Sequence, residues 1–365
     1  MKKYIIALLA VLTLGICGCG NSDNEEFEIR EIKEAGSIKS DSTSQNSEVS
    51  SDIDGEPMID FIEYPDMGAW VVYWDVDTAY EEMGQFEDGL STLCYFSAYF
   101  DENNEPFIPQ GTINTVNEIK AKGIFDSHAS YLTFVNDKTL AEGSSLKDTE
   151  LLYAVLGDEE LAKTHAAKVL DMADELGCDG VEIDYEAIKK DKKLWGLFNE
   201  FTNILCDQAI ARGMKVRILF EPSAPIEEYE WSDYPEYVMM CYNLYGYGTE
   251  PGPKANPGWI KQLVKKMEYL PGKINFALAT GGFDFCEDGS IAAVNTAVAQ
   301  KLEKDYGVTS SRDDDSYDLV FKYTDNSGNE HEVWYADRET IKNWIDAVYQ
   351  TGHSRITIWR LSGNI

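Results

Sequence analysis

The chain has 365 residues, 44% of them apolar and 26% charged, a balance that fits a globular protein with one large domain and smaller additions. Its formal net charge of −34 at pH 7 excludes nucleic acid and anionic lipid headgroups as partners and leaves neutral or cationic polymers open. The cysteines form no Cys-x-x-Cys pair and the four histidines have no metal-ligand spacing, so a disulfide framework, a metal and a cofactor all lack support.

The first element is a targeting segment. Lys2 and Lys3 precede an apolar run, Ile5 to Leu14, that is too short to span a bilayer and suits a signal-peptide core. The run ends in Ile16-Cys17-Gly18-Cys19, which resembles a bacterial lipobox with Cys19 as the lipidated residue, because a small residue precedes it; an ordinary secretory signal is the alternative. Export is expected either way, and the lipobox implies a lipoprotein anchored to the outer face of the cell membrane. Residues 20–57 are acidic and polar, with seven serines between Ser37 and Ser51, and have almost nothing to bury. They read as a disordered tether with a random-coil reach of roughly 35 Å.

Residues 58–365 read as one domain, expected to act as a monomer. Eight strand-like runs alternate with helical ones: Trp70–Trp74, Ser91–Tyr99, Ala129–Val135, Gly180–Tyr185, Lys215–Phe220, Tyr237–Tyr242, Ile274–Ala279 and Arg355–Trp359. Helices are predicted over Asp158–Leu176, with an apolar stripe of Leu161, Val169, Leu170, Ala173 and Leu176, and over Leu194–Arg212, Trp259–Tyr269 and Arg338–Gln350. This alternation predicts an α/β fold, a (β/α)₈ TIM barrel. The surplus length lies at about 287–335, where Tyr317–Tyr323, the turn Asp325-Asn326-Ser327-Gly328 and Glu330–Tyr335 predict a β-hairpin insertion between strands seven and eight.

The fourth run, Asp179-Gly180-Val181-Glu182-Ile183-Asp184-Tyr185-Glu186, alternates with period two. Glu182, Asp184 and Glu186 take one side and Val181, Ile183 and Tyr185 the other. In a barrel the apolar side faces the helices, so three carboxylates point into an interior normally filled by branched aliphatics. Neighbours about 6.6 Å apart, buried and mutually repelling, favour a protonated acid near neutral pH. A strand end open to water, or a calcium site built from the same carboxylates, are the competing readings.

Other candidates stand at strand ends. Strand six ends in Met240-Cys241-Tyr242-Asn243 and strand eight in Ile358-Trp359-Arg360, both at the carboxyl end where barrel sites gather. Trp231, Tyr234, Tyr245, Tyr247 and Trp259 are candidate sugar-stacking aromatics, with packing under long loops as the alternative. Asp313-Asp314-Asp315 reads as a solvated charge run, with a calcium loop as the other possibility.

The segment from Asp179 to Glu186 resembles the signature of family 18 glycoside hydrolases, Asp-Gly-x-Asp-x-Asp-x-Glu, with Glu182 in place of the usual Asp. Met240-Cys241-Tyr242-Asn243 resembles the Met-x-Tyr-Asp/Asn element of that family, and Tyr73 and Tyr95-Phe96-Ser97 match its strand-one and strand-two aromatics. His331-Glu332-Val333-Trp334-Tyr335 resembles bacterial members related to spore-cortex and cell-wall hydrolases. The resemblance implies retaining hydrolysis of β-linked N-acetylglucosamine-containing glycans, assisted by the acetamido group of the substrate. It implies that Glu186 is the acid, that Asp184 orients the acetamido group with Glu182 sharing its charge or proton, and that Tyr242 donates to the acetamido carbonyl. By the same resemblance Trp359 would floor the subsite and Asn243, Met240, Tyr73 and Phe96 would line the substrate, with the loop aromatics Tyr245 and Tyr247 as further candidate substrate contacts. The extra methylene of Glu182 is expected to displace its carboxylate and to weaken catalysis. A glycan-binding barrel that does not cut remains the alternative.

Overall fold

The structure is a computed structural model that describes residues 66–86, 90–123 and 128–362. The expected signal segment with Cys19, the expected tether and the first residues of the expected domain lie outside the described residues.

Eight parallel strands form a closed ring. In chain order they are β1 (Met67–Val72), β2 (Leu90–Phe100), β3 (Ala129–Thr139), β4 (Gly180–Asp184), β5 (Lys215–Phe220), β6 (Glu236–Met240), β7 (Lys273–Ala279) and β8 (Ile356–Trp359). Each pairs with its chain neighbour, and β8 returns to β1 with Ile356 opposite Met67. All eight predicted strands are present. The first one ends earlier than expected, at Val72, where Tyr73–Asp75 turns into a 3₁₀ helix.

The helices are α1 (Val76–Phe86), α2 (Gln110–Lys122), α3 (Thr149–Leu156), α4 (Glu159–Leu176), α5 (Lys192–Arg212), α6 (Pro257–Met267), α7 (Thr296–Tyr306) and α8 (Arg338–Tyr349). Helix α4 starts where the Asp158 carboxylate accepts from the Leu161 amide and stops at Gly177, whose φ of 73° suits glycine. Its buried stripe is Ala162, His165, Ala166, Val169, Leu170 and Ala173. Leu161 does not belong to it and is 42% exposed. At 100° per residue, Leu161 sits about 110° from the centre of that stripe.

Two apolar layers follow from strand alternation. Val181, Ile183, Val216, Ile218, Phe220, Tyr237 and Met239 face the helices. Trp70, Val72, Cys94, Leu219, Val238, Met240, Ala277, Ala279 and Trp359 fill the interior.

The insertion after β7 is larger than a hairpin. The predicted hairpin exists as Leu319–Thr324 against Glu330–Ala336, but Gly281–Cys286, Ile291–Val294 and Ser311–Arg312 join it in a five-stranded antiparallel sheet. Helix α7 covers that sheet over a separate core of Val294, Ala299, Phe321, Tyr323, Val333 and Tyr335. Gly281-Gly282 opens the first strand of this sheet. A Cβ on Gly282 would stand 1.7 Å from the Trp334 carbonyl oxygen, so only glycine permits the pairing.

Candidate active site

Strand β4 places its carboxylates at three depths. Glu182 is deepest and fully buried. Its Oε1 accepts from Trp70 Nε1 at 2.5 Å and Thr133 Oγ1 at 2.7 Å, and its Oε2 accepts from Arg217 Nε at 2.7 Å and Cys94 Sγ at 3.4 Å. Arg217, also fully buried, donates onward to Glu236 and to Thr357 Oγ1, which donates to Asn275 Oδ1. Both Glu182 oxygens are thus occupied by donors from β1, β2, β3 and β5, and no hydrogen bond joins Glu182 to Asp184 among the described residues. Glu182 is held in an ion pair with Arg217, and its charge still acts on the Asp184 carboxyl. The extra methylene lets the carboxylate reach Trp70 and Arg217, so it is a fitted length and not a displaced one.

Asp184, one layer up, is 7% exposed, and its Oδ1 has no protein hydrogen-bond partner. Burial, then the charge of Glu186, pushes its carboxyl well above the usual carboxylate range; Lys147 opposes this, and Glu182 and Asp137 add to it. Tyr242, just beyond β6, is 5% exposed, and burial followed by the charges of Asp184 and Glu186 raises its phenol, keeping it a neutral donor.

Glu186 follows the strand end at the mouth. Its backbone is held by Asn136, whose Oδ1 accepts from the Glu186 amide at 2.9 Å and whose Nδ2 donates to the Glu186 carbonyl at 3.1 Å. Its carboxylate accepts from Lys147 Nζ at 2.5 Å. Beside it, Glu221 accepts from the Ala187 amide at 2.9 Å. Burial, then Glu186, pushes Glu221 up to about 7; burial likewise takes Asp137 to about 6.

Trp359 lies in the interior layer, edge-on to Phe96 at 4.7 Å and to Trp70 at 5.8 Å, with Met240 in the same cluster. Phe96 also meets Trp74 at 6.1 Å. Asn243 has a φ of 63° and a buried Oδ1 without a protein partner. The structure therefore brings together Asp184, Glu186, Tyr242, Trp359, Phe96 and Met240.

The other expected aromatics have packing partners of their own. Tyr73 packs against Gly111 in the first turn of α2, and Trp74 takes its place beside the interior. Tyr95 faces the helices because β2 alternation sends Cys94 and Phe96 inward. Trp231 is buried between Phe220 and Tyr237 on the helical side, Tyr234 donates to the Met214 carbonyl below β5, and Trp259 packs on the outer core. Tyr245 lies under Gly252, and Tyr247 packs edge-on to Phe283 of the inserted sheet. Asp313 binds the Ser316 amide and hydroxyl, and the described residues include no acidic or histidine cluster able to hold a metal.

Arg217, Asn136, Glu221 and Lys147 escaped the sequence reading. Arg217 carried a signal: within β5 it occupies the inward parity between outward Val216 and Ile218. Lys147 carried none, since a loop delivers it.

No protein-family model matches the chain. Among curated proteins it is similar to YdhD of Bacillus subtilis, provisionally named a sporulation-specific glycosylase, with 24% identity over 230 residues, 59% of this chain and 54% of that protein. It is also similar to the cortical fragment-lytic enzyme of Bacillus anthracis, 22% identical over 230 residues, 58% of this chain and 53% of that protein. The chain spans about half the length of these relatives. Among solved structures, the spore cortex-lytic enzyme SleL of Bacillus cereus matches with a TM-score of 0.68 at 20% identity, covering 81% of this chain and 70% of that one. A chitinase from Chromobacterium violaceum matches with a TM-score of 0.69 at 16% identity, covering 82% and 95%. The barrel is the fold these structures share.

Proposed function

We propose that the chain is a glycosidase that hydrolyses β-linked N-acetylglucosamine-containing glycans with retention, using the acetamido group of the substrate as nucleophile. The observation that carries this reading is the buried Asp184, with an unpartnered oxygen, beside mouth-placed Glu186, both close enough to act on the Tyr242 phenol, which shares an interior cluster with Trp359. Glu186 in its acid form gives a proton to the glycosidic oxygen as the bond to the anomeric carbon breaks, and that oxygen keeps the bonding pair. The acetamido carbonyl oxygen closes on the same carbon from the opposite face. Asp184 holds the acetamido N–H, Tyr242 donates to the carbonyl oxygen, and Trp359 presents an apolar face to the ring. Water then opens the oxazolinium ion, returning its proton to Glu186. Names of similar proteins that refer to chitin or spore cortex support this substrate class.

The test is digestion of chitin oligomers, peptidoglycan and N-glycan core with the purified chain, with products identified by mass spectrometry and their first-formed anomer by NMR. Release of the β-anomer is expected, and Glu186→Gln should lower turnover by roughly 10²- to 10⁴-fold at near-parental Tm. Turnover within a few-fold of the parent would remove Glu186 from the role. A glycan-binding barrel is the second reading, favoured by the Lys147 ammonium on Glu186. Saturable glycan binding without any product from the three polymers would establish it.

A further inference from the structure

Lys147 is attached to the site by a built arrangement. Two short antiparallel ladder pairs, Lys138 with Ser145 and Thr139 with Ser144, fold the segment after β3 back on itself. Lys147 then takes a left-handed φ of 52°, and its amide donates to Asp137 Oδ1 at 2.7 Å. The next amide, Asp148, donates to the Asn136 carbonyl at 2.8 Å, and Asn136 Nδ2 reaches the Asp148 carbonyl at 3.3 Å. The same Asn136 amide group holds the backbone of Glu186 on both sides. One side chain therefore fixes both the backbone that carries the ammonium and the backbone that carries the carboxylate. The resulting ion pair is 2.5 Å long, and its side chains are only 17% and 16% exposed.

Such a pair opposes the chemistry proposed above, because an ammonium at this distance binds the carboxylate form and an acid must hold its proton. The carboxylates facing Lys147 supply a way out. Glu186 on the β4 end, Glu221 just beyond β5, Asp184 inside β4 and Asp137 at the β3 end surround it, with Glu182 below Asp184 and Tyr242 across from it. Burial works against the ammonium, yet Glu186 first, then Glu221 and Asp184, hold it above its ordinary range. The four-carbon stem lets the head change partner while the backbone stays pinned.

We propose that Lys147 is a positioning residue for the acid: its ammonium rests on Glu186 in the empty site and passes to Glu221 and Asp137 when a glycan binds, releasing Glu186 to take a proton from water and deliver it to the leaving oxygen. This rests on the reading of Glu186 as that acid. It gives Glu221 and Asp137, which already accept from the Ala187 and Lys147 amides, a second task, since both become better anions once the ammonium arrives.

The test is the pH dependence of kcat/KM, which reports the free enzyme, against that of kcat, which reports the complex. The substrate is an unactivated N-acetylglucosamine oligosaccharide, because a nitrophenolate leaves with little protonation. In the parent, the basic limb of kcat/KM should lie below that of kcat. Lys147→Met should raise the kcat/KM limb by about 1 to 3 pH units, bring the two limbs together, and leave Tm within a few degrees. Lys147→Arg should keep the limbs apart, and it serves as the folded comparison should Lys147→Met fail to fold. Limbs that stay in place in Lys147→Met, limbs that already coincide in the parent, or limbs that coincide in Lys147→Arg would overturn the proposal. Full activity of Glu186→Gln on the same oligosaccharide would instead overturn the underlying assignment of the acid.

Discussion

At the scale of single residues, the centre of the barrel is decided by Arg217. A buried guanidinium needs acceptors, and each of its three nitrogens donates here, Nε to Glu182, Nη1 to Glu236 and Nη2 to Thr357. Glu182 cannot be shortened without losing part of that set. Glu182→Asp, which would restore the residue usual in family 18 signatures, is therefore expected to destabilise the chain, with Trp70 Nε1 and Arg217 Nε left short of a partner. Arg217→Met removes one side of the pair and leaves Glu182 buried without a counter-charge and Glu236 with only Arg355 at 3.4 Å, at a cost of about 3–5 kcal/mol. Urea denaturation of the two variants checks this. A stability loss below about 1 kcal/mol in Arg217→Met would show that the ion pair does not hold the interior. Rescue of turnover by Glu182→Asp would show that Glu182 works by sharing a proton with Asp184 after all.

At the scale of elements, backbone approach sets the junction between barrel and insertion. The strand Gly281–Cys286 pairs with Glu330–Ala336 on one side and Ile291–Val294 on the other. Side chains at Gly281 and Gly282 would meet backbone atoms at 2.3 Å and 1.7 Å. Gly282→Ala should break the register at Tyr335 and separate the inserted sheet from the strand that anchors it. Amide exchange should then rise along 281–286 and 330–336 while β1 to β6 keep their protection. Unchanged protection in the insertion would contradict the pairing described here.

At the scale of the molecule, the acidic mouth ties stability to pH. Glu221 at about 7 and Asp137 at about 6 lie above their unfolded values, so between about pH 4 and 7 the folded chain binds more protons than the unfolded one. That contribution is complete at the low end and is lost as pH rises through the folded values. Lys254, lowered by burial to about 8, acts only above this window, while His165, lowered by burial to about 3, opposes the two carboxyls below about pH 6.5 without outweighing their sum. Tm should therefore fall from pH 5 to pH 8, and Glu221→Gln should flatten the slope; a Tm that rises over this interval, or a slope untouched by the substitution, would refute the linkage. Location is a separate matter that the N-terminal sequence raises. We propose that Cys19 is lipidated, so that Cys19→Ala should move the protein from the membrane fraction to the medium or leave its precursor uncleaved. A normally processed variant retained in the membrane would end that proposal.

The alternation of eight strand-like runs with helical ones predicted the barrel, and period two within the fourth run determined the inward face of Glu182 and Asp184, because a strand between helices and an interior has no other way to sort its side chains. The motif from Asp179 to Glu186 made the candidate acid legible for the same reason. Only the tertiary structure decided what meets those carboxylates. Arg217 lies 35 positions from Glu182 and Lys147 lies 39 from Glu186, and closure of the ring and the course of a loop set their contacts. The split of the aromatics was likewise not legible, since rings at strand ends and in loops have no periodicity to sort them. Tyr73 and Trp74 are neighbours, and the 3₁₀ turn after β1 sends one to α2 and the other to the interior. The inserted sheet is larger than the sequence predicts because Gly281–Cys286, Ile291–Val294 and Ser311–Arg312 are joined to it by long-range pairing, and the close backbone approach at Gly281 and Gly282 has no local signature.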